Sequence, residues 1–181
     1  MKKLSMLISV VVLLFTTVAS SAVSQNHSFD KDRFDRNRFF RARLSGFQEN
    51  PTLSSPGKGE FVAKVSSNEI SYRLVYWDLP TKVTQAHLHL GAKAVNGGIA
   101  AFLCGPQPQA GNKPECTSPS GVVTGTIVAS DIIGPNGQGI APGEFAEVVR
   151  ALRNEVIYAN VHTEQFPAGE IRGQVLSDDD E

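Results

Sequence analysis

The segment "EISYRLVYW", residues 69 to 77, alternates between two sets of side chains over its whole length. One set is apolar or aromatic and the other is more polar, namely Ile70, Tyr72, Leu74 and Tyr76 against Ser71, Arg73 and Val75. Successive side chains of a β-strand point to opposite faces of the sheet. The alternation therefore predicts a strand with one face in an apolar core and the other face turned away from it.

Seven further segments have the length and pattern of strands, and turn-forming sequences such as "NPTLSSPGKG", "DLPTK", "NGG" and "FPAG" separate them. In chain order these segments are "FRARLSGF", "GEFVAKV", "VTQAHLHL", "GIAAFLC", "GVVTGTIVA", "EVIYANVHT" and "GEIRGQVL". Together with "EISYRLVYW" they predict an all-β domain of about eight strands. Many short strands joined by short loops are typical of an antiparallel β-sandwich or a flattened barrel.

One short amphipathic helix is predicted near residues 142–153, within "APGEFAEVVRALRNE". Pro142 is suited to the first helical position, because its missing N–H has no partner there in any helix. The apolar side chains then recur at the spacing of one helical face, as Phe145, Val148, Val149 and Leu152. We expect this face to pack on the sheet.

The chain divides into four parts by composition. Residues 1–22 have a basic start, an apolar stretch and small residues before a cleavage point, which predicts a secretory signal peptide. Residues 23–38 alternate charge and aromatic character without a period, which indicates a linker or flexible arm. The folded domain is expected over residues 39–176, and residues 177–181 form an acidic tail. The protein is therefore expected to be secreted or periplasmic.

Charge and motifs exclude several classes of function. The formal net charge of −1 becomes −3 when Lys2 and Lys3 leave with the signal peptide. A mildly acidic chain with no basic run argues against a nucleic-acid partner. No segment after residue 22 is long and apolar enough to span a membrane. The chain also has no phosphate-binding loop, dinucleotide fingerprint or nucleophile elbow.

The two cysteines, Cys104 and Cys116, predict a disulfide, because exported chains with an even number of cysteines usually pair them. The segment between them, "GPQPQAGNKPE", is rich in Gly and Pro, so the bridge would close a loop. A thiolate metal pair is the alternative, but the spacing is much wider than that of a C-x-x-C motif.

Two histidines lie two residues apart in "TQAHLHLGA", residues 84 to 92. On a strand, His87 and His89 therefore share a face, opposite the apolar set of Ala86, Leu88 and Leu90. His162 in "EVIYANVHT" lies on the non-core face of its own strand by the same argument. If the two strands are neighbours, all three imidazoles share one patch.

Three imidazoles on one patch form a candidate site for Cu or Zn. Such a site would lose metal below about pH 6, because an imidazole must be neutral to bind. The alternative is that the histidines are half-exposed and form only hydrogen bonds. Nearby, Glu170 and Arg172 are also two apart on a strand, which favours a surface ion pair of little energetic weight.

The segments "ARLSGFQENP", "TQAHLHLGA", "NGGIAAFLC" and "EVIYANVHTEQFPAGEIRGQV" together resemble the CHRD domain, first described in chordin, from about Phe40 to Val175. The first is similar to the family opening L-S-G-x-x-E-x-P, and the last to its most recognisable stretch, Y-V-N-V-H-T-x-x-F-P-x-G-E-I-R-G-Q. The chain departs from the pattern at Ala159, where the family has a larger β-branched residue, and in having one Pro in "FQENP".

The resemblance implies a list of hallmark positions rather than a mechanism. Besides the three histidines, the hallmark residues are Asn160, Thr163, Gly169, Glu170, Arg172 and Gly173. The first hypothesis is a non-enzymatic binding or structural module for an unknown protein or small ligand. A Cu- or Zn-binding protein that uses His87, His89 and His162 is the second. A metal-dependent enzyme at the same site is the third.

Overall fold

The computed structural model describes residues 38–178. The predicted signal peptide and residues 23–37 of the predicted arm lie outside the described residues, as do the last three residues of the predicted acidic tail. All statements below about structure refer to residues 38–178.

The described chain forms nine strands and one α-helix, with three short 3-10 turns. The strands are β1 Phe39–Ser45, β2 Lys58–Val65, β3 Ile70–Trp77, β4 Val83–Leu90, β5 Gly98–Cys104, β6 Gly121–Ile127, β7 Ile157–Thr163, β8 Ile171–Gln174 and β9 Leu176–Ser177. The helix α1 is Phe145–Arg153, and the 3-10 turns are Gly46–Gln48, Ala129–Asp131 and Asn136–Gln138. The eight predicted strands are all present, and β9 is a short addition that pairs with β1.

The strands form one antiparallel sheet in the order β5-β4-β7-β8-β1-β2-β3-β6. The sheet curls until its two ends approach each other. The hydroxyl of Tyr72 in β3 donates to the carbonyl of Leu103 in β5 at 2.6 Å. The disulfide between Cys104 at the end of β5 and Cys116 ahead of β6 joins the same two ends. The prediction of an antiparallel sandwich or flattened barrel is confirmed.

The core lies between the two halves of this curled sheet. In β2 and β3 every second residue is buried, as the alternation predicts, and Ile70 and Leu74 are fully enclosed. The other half contributes Leu88 and Ile157 from the apolar faces of β4 and β7. Burial of such side chains stabilises the fold by about 1.5–3 kcal/mol each.

Helix α1 begins later than predicted. Pro142 and Gly143 form a turn, and Gly143 has a left-handed φ of 88°, which is incompatible with a helix. The helix therefore starts at Phe145 rather than Pro142. Its buried face contains Val148, Val149 and Leu152, so the predicted amphipathic packing on the core is confirmed. Over residues 38–178, no helix combines the length and apolar character needed to cross a membrane.

Candidate metal centre

Strands β4 and β7 are direct neighbours, which brings the three histidines together. In their antiparallel register Gln85 lies opposite His162, His87 opposite Asn160, and His89 opposite Tyr158. His87 therefore lies diagonally next to His162 on the same face. On its other side β4 pairs with β5, and that pairing shifts register immediately before each histidine of β4. Such irregularities re-aim side chains, and both histidines remain on the face away from the core.

The imidazole rings form a compact triangle. The centroid of the His87 ring lies 5.3 Å from that of His89 and 4.8 Å from that of His162, and the third side is 6.1 Å. One ring nitrogen from each residue lies within 4.8 Å of the other two. The ring of Phe102 from β5 closes one side of the triangle, with its centroid 4.4 Å from that of His87.

Backbone carbonyls set the tautomers of two of the imidazoles. Nδ1–H of His89 donates to the carbonyl of Gly97 at 3.0 Å, and Nδ1–H of His162 donates to the carbonyl of Pro167 at 3.0 Å. Each Nε2 is then an acceptor with a lone pair. Nδ1 of His87 lies 3.1 Å from Nε2 of His162, and because that Nε2 has no proton, His87 is the donor. Carbonyl partners of this kind orient histidines that ligate metals.

All three histidines are buried, which corrects the expectation of half-exposed side chains. His87 is 0% exposed, and His89 and His162 are 7% and 6% exposed. Nε2 of His87 and Nε2 of His89 are enclosed and have no hydrogen-bond partner within the described residues. An enclosed polar atom without a partner costs about 1–3 kcal/mol, so these two lone pairs need an explanation.

Burial also keeps the imidazoles neutral. Loss of solvation, with a smaller effect of positive charge on the neighbouring His162 and His89, lowers the pKa of His87 to about 2. Burial likewise lowers the pKa of His89 to about 4 and lowers that of His162, while their carbonyl partners oppose the shift. The expected loss of metal below pH 6 therefore moves to lower pH, because protons compete for these nitrogens only there.

Glu49 is a further buried polar residue beside the histidine strands, although sequence analysis did not single it out as a site residue. Its Oε1 accepts a hydrogen bond of 2.5 Å from Nδ2 of Asn160, which also donates to the carbonyl of Ile171. Burial raises the pKa of Glu49 to about 7, against the opposing effects of Asn160 and Arg172. The sequence feature that points to Glu49 as a site residue is its place in "LSGFQENP", the segment that resembles the opening motif of the CHRD domain.

Glu170 and Arg172 are buried and separately paired, so the prediction of a surface ion pair is wrong. The carboxylate of Glu170 accepts hydrogen bonds of 2.6 Å from the hydroxyls of both Ser55 and Thr163. The guanidinium of Arg172 donates to the side chain of Asn96 at 2.9 Å and to the carbonyl of Val95 at 3.1 Å. Glu170 is therefore held by the loop between β1 and β2 and by the end of β7, and Arg172 by the loop between β4 and β5.

Arg172 also reaches the histidines through a stack of planar groups. Its guanidinium carbon lies 4.1 Å from the centroid of the Tyr158 ring, and that ring stacks on His89 with centroids 4.8 Å apart and planes 3° apart. The positive charge of Arg172 adds to the forces that keep His89 neutral. Tyr158 in turn donates to and accepts from Gly97, the loop residue that orients His89.

The two hallmark glycines lie where no larger residue fits. A Cβ on Gly169 would lie 2.7 Å from Oδ1 of Asn160 and 2.9 Å from Oε1 of Glu49, and its φ of 128° favours glycine. A Cβ on Gly173 would lie 2.3 Å from the carbonyl of Arg43, because β1 approaches β8 closely there.

The structure therefore places the three histidines, Asn160 and Arg172 on the outer side of β4, β7 and β8, with Gly169 and Glu170 in the turn that follows β7. Thr163 and Gly173 occupy core-side positions of the same strands, opposite Val83 and Ala159. A family model described as the CHRD domain matches residues 40–175. This match covers most of the chain, and the chain belongs to the CHRD family. Comparison with curated proteins and with solved structures finds no match. Membership supports a binding or structural module whose ligand is unassigned.

Proposed function

We propose that the protein is a binding module that holds one transition-metal ion, copper or zinc, between His87, His89 and His162. The observation that carries this proposal is the convergence of three neutral imidazoles whose candidate ligand nitrogens lie within 4.8 Å of one another. Two of these histidines have an enclosed Nε2 without a partner. A metal ion would use these two unsatisfied lone pairs, and its third ligand, Nε2 of His162, would exchange its hydrogen bond from Nδ1 of His87 for the metal.

The donor set favours zinc or copper over magnesium or calcium. Three imidazoles are the ligands that Zn and Cu accept, whereas Mg and Ca prefer oxygen. Three protein ligands leave a coordination position for water or a small exogenous ligand. The carbonyls of Gly97 and Pro167 supply the second layer of contacts that holds such rings in place.

Metal content and titration test the proposal. The full chain, as purified from its expressing cell, is stripped with a chelator and titrated with Zn(II) and with Cu(II) by calorimetry. We expect one ion per chain and at least about a hundredfold loss of affinity in His162→Ala, because two ligands on one strand leave the shell incomplete.

His27→Ala is the matched control, since His27 is the only other histidine of the chain. Its affinity should equal that of the wild-type protein. Equal binding of both metals by His162→Ala and wild type would contradict the shared site. Failure of the wild-type protein to bind either ion would leave the histidines with a purely structural role and overturn the proposal.

The location of this module outside the cytoplasm is part of the proposal. The disulfide between Cys104 and Cys116 is compatible with an oxidising, extracellular compartment. The sequence features of residues 1–22 are those of a secretory signal, with cleavage after Ala22. Amino-terminal sequencing of exported protein tests this: a mature chain that starts at Val23 supports it, and an intact Met1 contradicts it.

A further inference from the structure

The outward side chains of β1, β2 and β3 make a strongly cationic surface, which we call the open face. It contains five basic side chains and one acidic side chain, Glu60; the basic ones are Arg41, Arg43, Lys58, Lys64 and Arg73. In the register of the sheet Arg41, Val62 and Arg73 form one row across the three strands. The whole chain has a formal net charge of −1, so positive charge is concentrated here.

Acidic groups offset part of this charge, and Glu60 lies directly opposite Arg43 in the register of β1 and β2. Arg41 pairs with Asp178 at 2.7 Å. Among residues 38–178, neither Arg43 nor Arg73 has an acidic group within ion-pair distance. A cluster of like charges destabilises the folded state by self-repulsion, and an anionic ligand would relieve that repulsion.

Aromatic side chains lie at both ends of the open face. The ammonium of Lys58 lies 5.6 Å from the centroid of the Phe47 ring, and Lys58 pairs across the sheet with Trp77. At the other end, Lys64 lies 5.5 Å from the centroid of the Phe39 ring. Phe39, Phe47 and Trp77 are 53%, 64% and 37% exposed. Exposed aromatic rings beside cations provide stacking surfaces for planar or ring-shaped ligands.

Two grooves extend the open face along β1. One, of about 630 Å³, is lined by residues that include Arg41, Arg43 and Lys93 and one acidic residue, Glu155. The other, of about 390 Å³, is lined by residues that include Arg41, Lys64 and Arg73 and one acidic residue, Asp178. Arg41 lines both grooves. Lys58 and Lys64 are six residues apart on β2, which makes the basic surface about 20 Å long.

We propose that the open face binds a linear acidic polysaccharide, a chain of sugar rings that carry sulfate or carboxylate groups. The anionic groups would contact the row of arginines and lysines, and the sugar rings would stack on Trp77 and the two phenylalanines. The right-handed twist of the sheet favours a narrow, bendable chain over a flat bilayer, which could not contact both ends of a twisted surface at once. The site is independent of the histidines and does not rest on metal binding.

Trp77 makes the binding directly observable, since it is the only tryptophan of the chain and lies on the open face. The full-length purified protein is titrated with heparin and, separately, with alginate, while its tryptophan emission is recorded. We expect a saturable change in emission, and an affinity that falls at least about tenfold between about 50 mM and about 200 mM NaCl, because the polymer contacts release bound counterions.

Charge reversal at the face separates a site from an effect of net charge. Arg43→Glu with Arg73→Glu should weaken heparin binding at least about tenfold in calorimetry. Lys82→Glu with Arg150→Glu makes the same change in net charge on the loop after β3 and on helix α1, and should change affinity less than about twofold. Equal losses in the two double variants would overturn the proposal.

Two other polyanions are tested in the same way as alternative ligands. Vesicles of phosphatidylcholine with about 30% phosphatidylglycerol test a membrane partner, and duplex DNA tests a nucleic acid. Binding of both polysaccharides with at least about tenfold weaker binding of vesicles and DNA supports the proposal. Comparable or tighter binding of vesicles or DNA contradicts it, as does absence of binding to heparin and alginate.

Discussion

The outward side of β4, β7 and β8 and the open face of β1, β2 and β3 belong to one continuous sheet, but only the first is covered by loops. We call the first the covered face. The loop between β1 and β2 supplies Glu49 and Ser55, the loop between β4 and β5 supplies Val95 to Gly97, and the loop between β7 and β8 supplies Pro167. Each contributes a hydrogen-bond partner to a buried polar group. On the open face, Arg43 and Arg73 remain exposed to solvent.

This difference shows what the alternation of side chains along a strand predicts. It predicts which face of the sheet a side chain lies on, but not whether solvent reaches that face. A polar group under loops needs a specific partner, because an unsatisfied one costs about 1–3 kcal/mol. The same group in solvent finds water. Substitutions on the covered face should therefore have large effects, and matched substitutions elsewhere should have small ones.

The largest effect is expected at Gly169, on the covered face. Gly169→Val introduces a β-branched side chain at a φ of 128° and places its Cβ within 3 Å of Asn160 and Glu49. Strain and overpacking together should lower the free energy of unfolding by about 4 kcal/mol in urea denaturation.

Two controls separate the causes. Gly139 has a φ of 87°, and a Cβ added there would meet no atom within 4 Å, so Gly139→Val measures backbone strain alone and should cost about half as much. Glu164→Ala changes an exposed side chain and should alter stability by less than about 0.5 kcal/mol. Equal unfolding midpoints for Gly169→Val and Glu164→Ala would show that this turn does not determine the packing of the covered face.

The disulfide should have the next largest effect, because it joins β5, next to the covered face, to the segment before β6, next to the open face. Replacement of both Cys104 and Cys116 by Ala should lower stability by about 3 kcal/mol on the chain-entropy model. Metal affinity should be unchanged, because the histidines are held by β4 and β7. Two free thiols in freshly exported protein, measured by mass spectrometry without reductant, would refute the bridge, and a parallel loss of metal affinity would refute its independence.

Much of the fold was predictable from the sequence because strand alternation and turn residues are local signals. The alternation of side chains along a strand predicts the strands themselves. It also predicts that His87 and His89 share a face and that His162 lies on the non-core face of its strand. The burial of these residues did not follow, since it depends on loops distant in the chain, such as Glu49 meeting Asn160. The cationic open face was also invisible as a sequence run, because its five basic residues are distributed over three strands.

A matched pair of acids compares the two faces directly. Glu170→Ala leaves the buried hydroxyls of Ser55 and Thr163 without their shared acceptor, and should lower stability by about 2–3 kcal/mol. Glu60→Ala removes an exposed acid from the open face and should change stability by less than about 0.5 kcal/mol. Thermal or urea unfolding measures both. Similar effects for the two variants would mean that loop cover does not distinguish the faces.

The finest comparison within the covered face concerns pH. The pKa values of His87 and His89 are lowered from 6.5, so between pH 4.5 and 6.5 the unfolded chain binds more protons than the folded one. The contribution of these two histidines to the free energy of unfolding is fully present above pH 6.5 and is lost as the pH falls towards 4. The pKa of Glu49 is raised from 4.5 to about 7, so its contribution is present below pH 4.5 and is lost as the pH rises through 7.

The histidines outnumber Glu49, so the stability of the wild-type protein in chelator should rise between pH 4.5 and 6.5. Glu49→Gln retains an acceptor for Asn160 but removes the opposing titration. Relative to wild type it should therefore be more stable near pH 8 than near pH 5, because it no longer carries a buried carboxylate at high pH. Glu60→Gln on the open face is the control for the same chemical change in solvent. Urea unfolding measures the free energy of unfolding of each protein at both pH values. If the difference between Glu49→Gln and wild type is the same at pH 5 and pH 8, the raised pKa of Glu49 is contradicted.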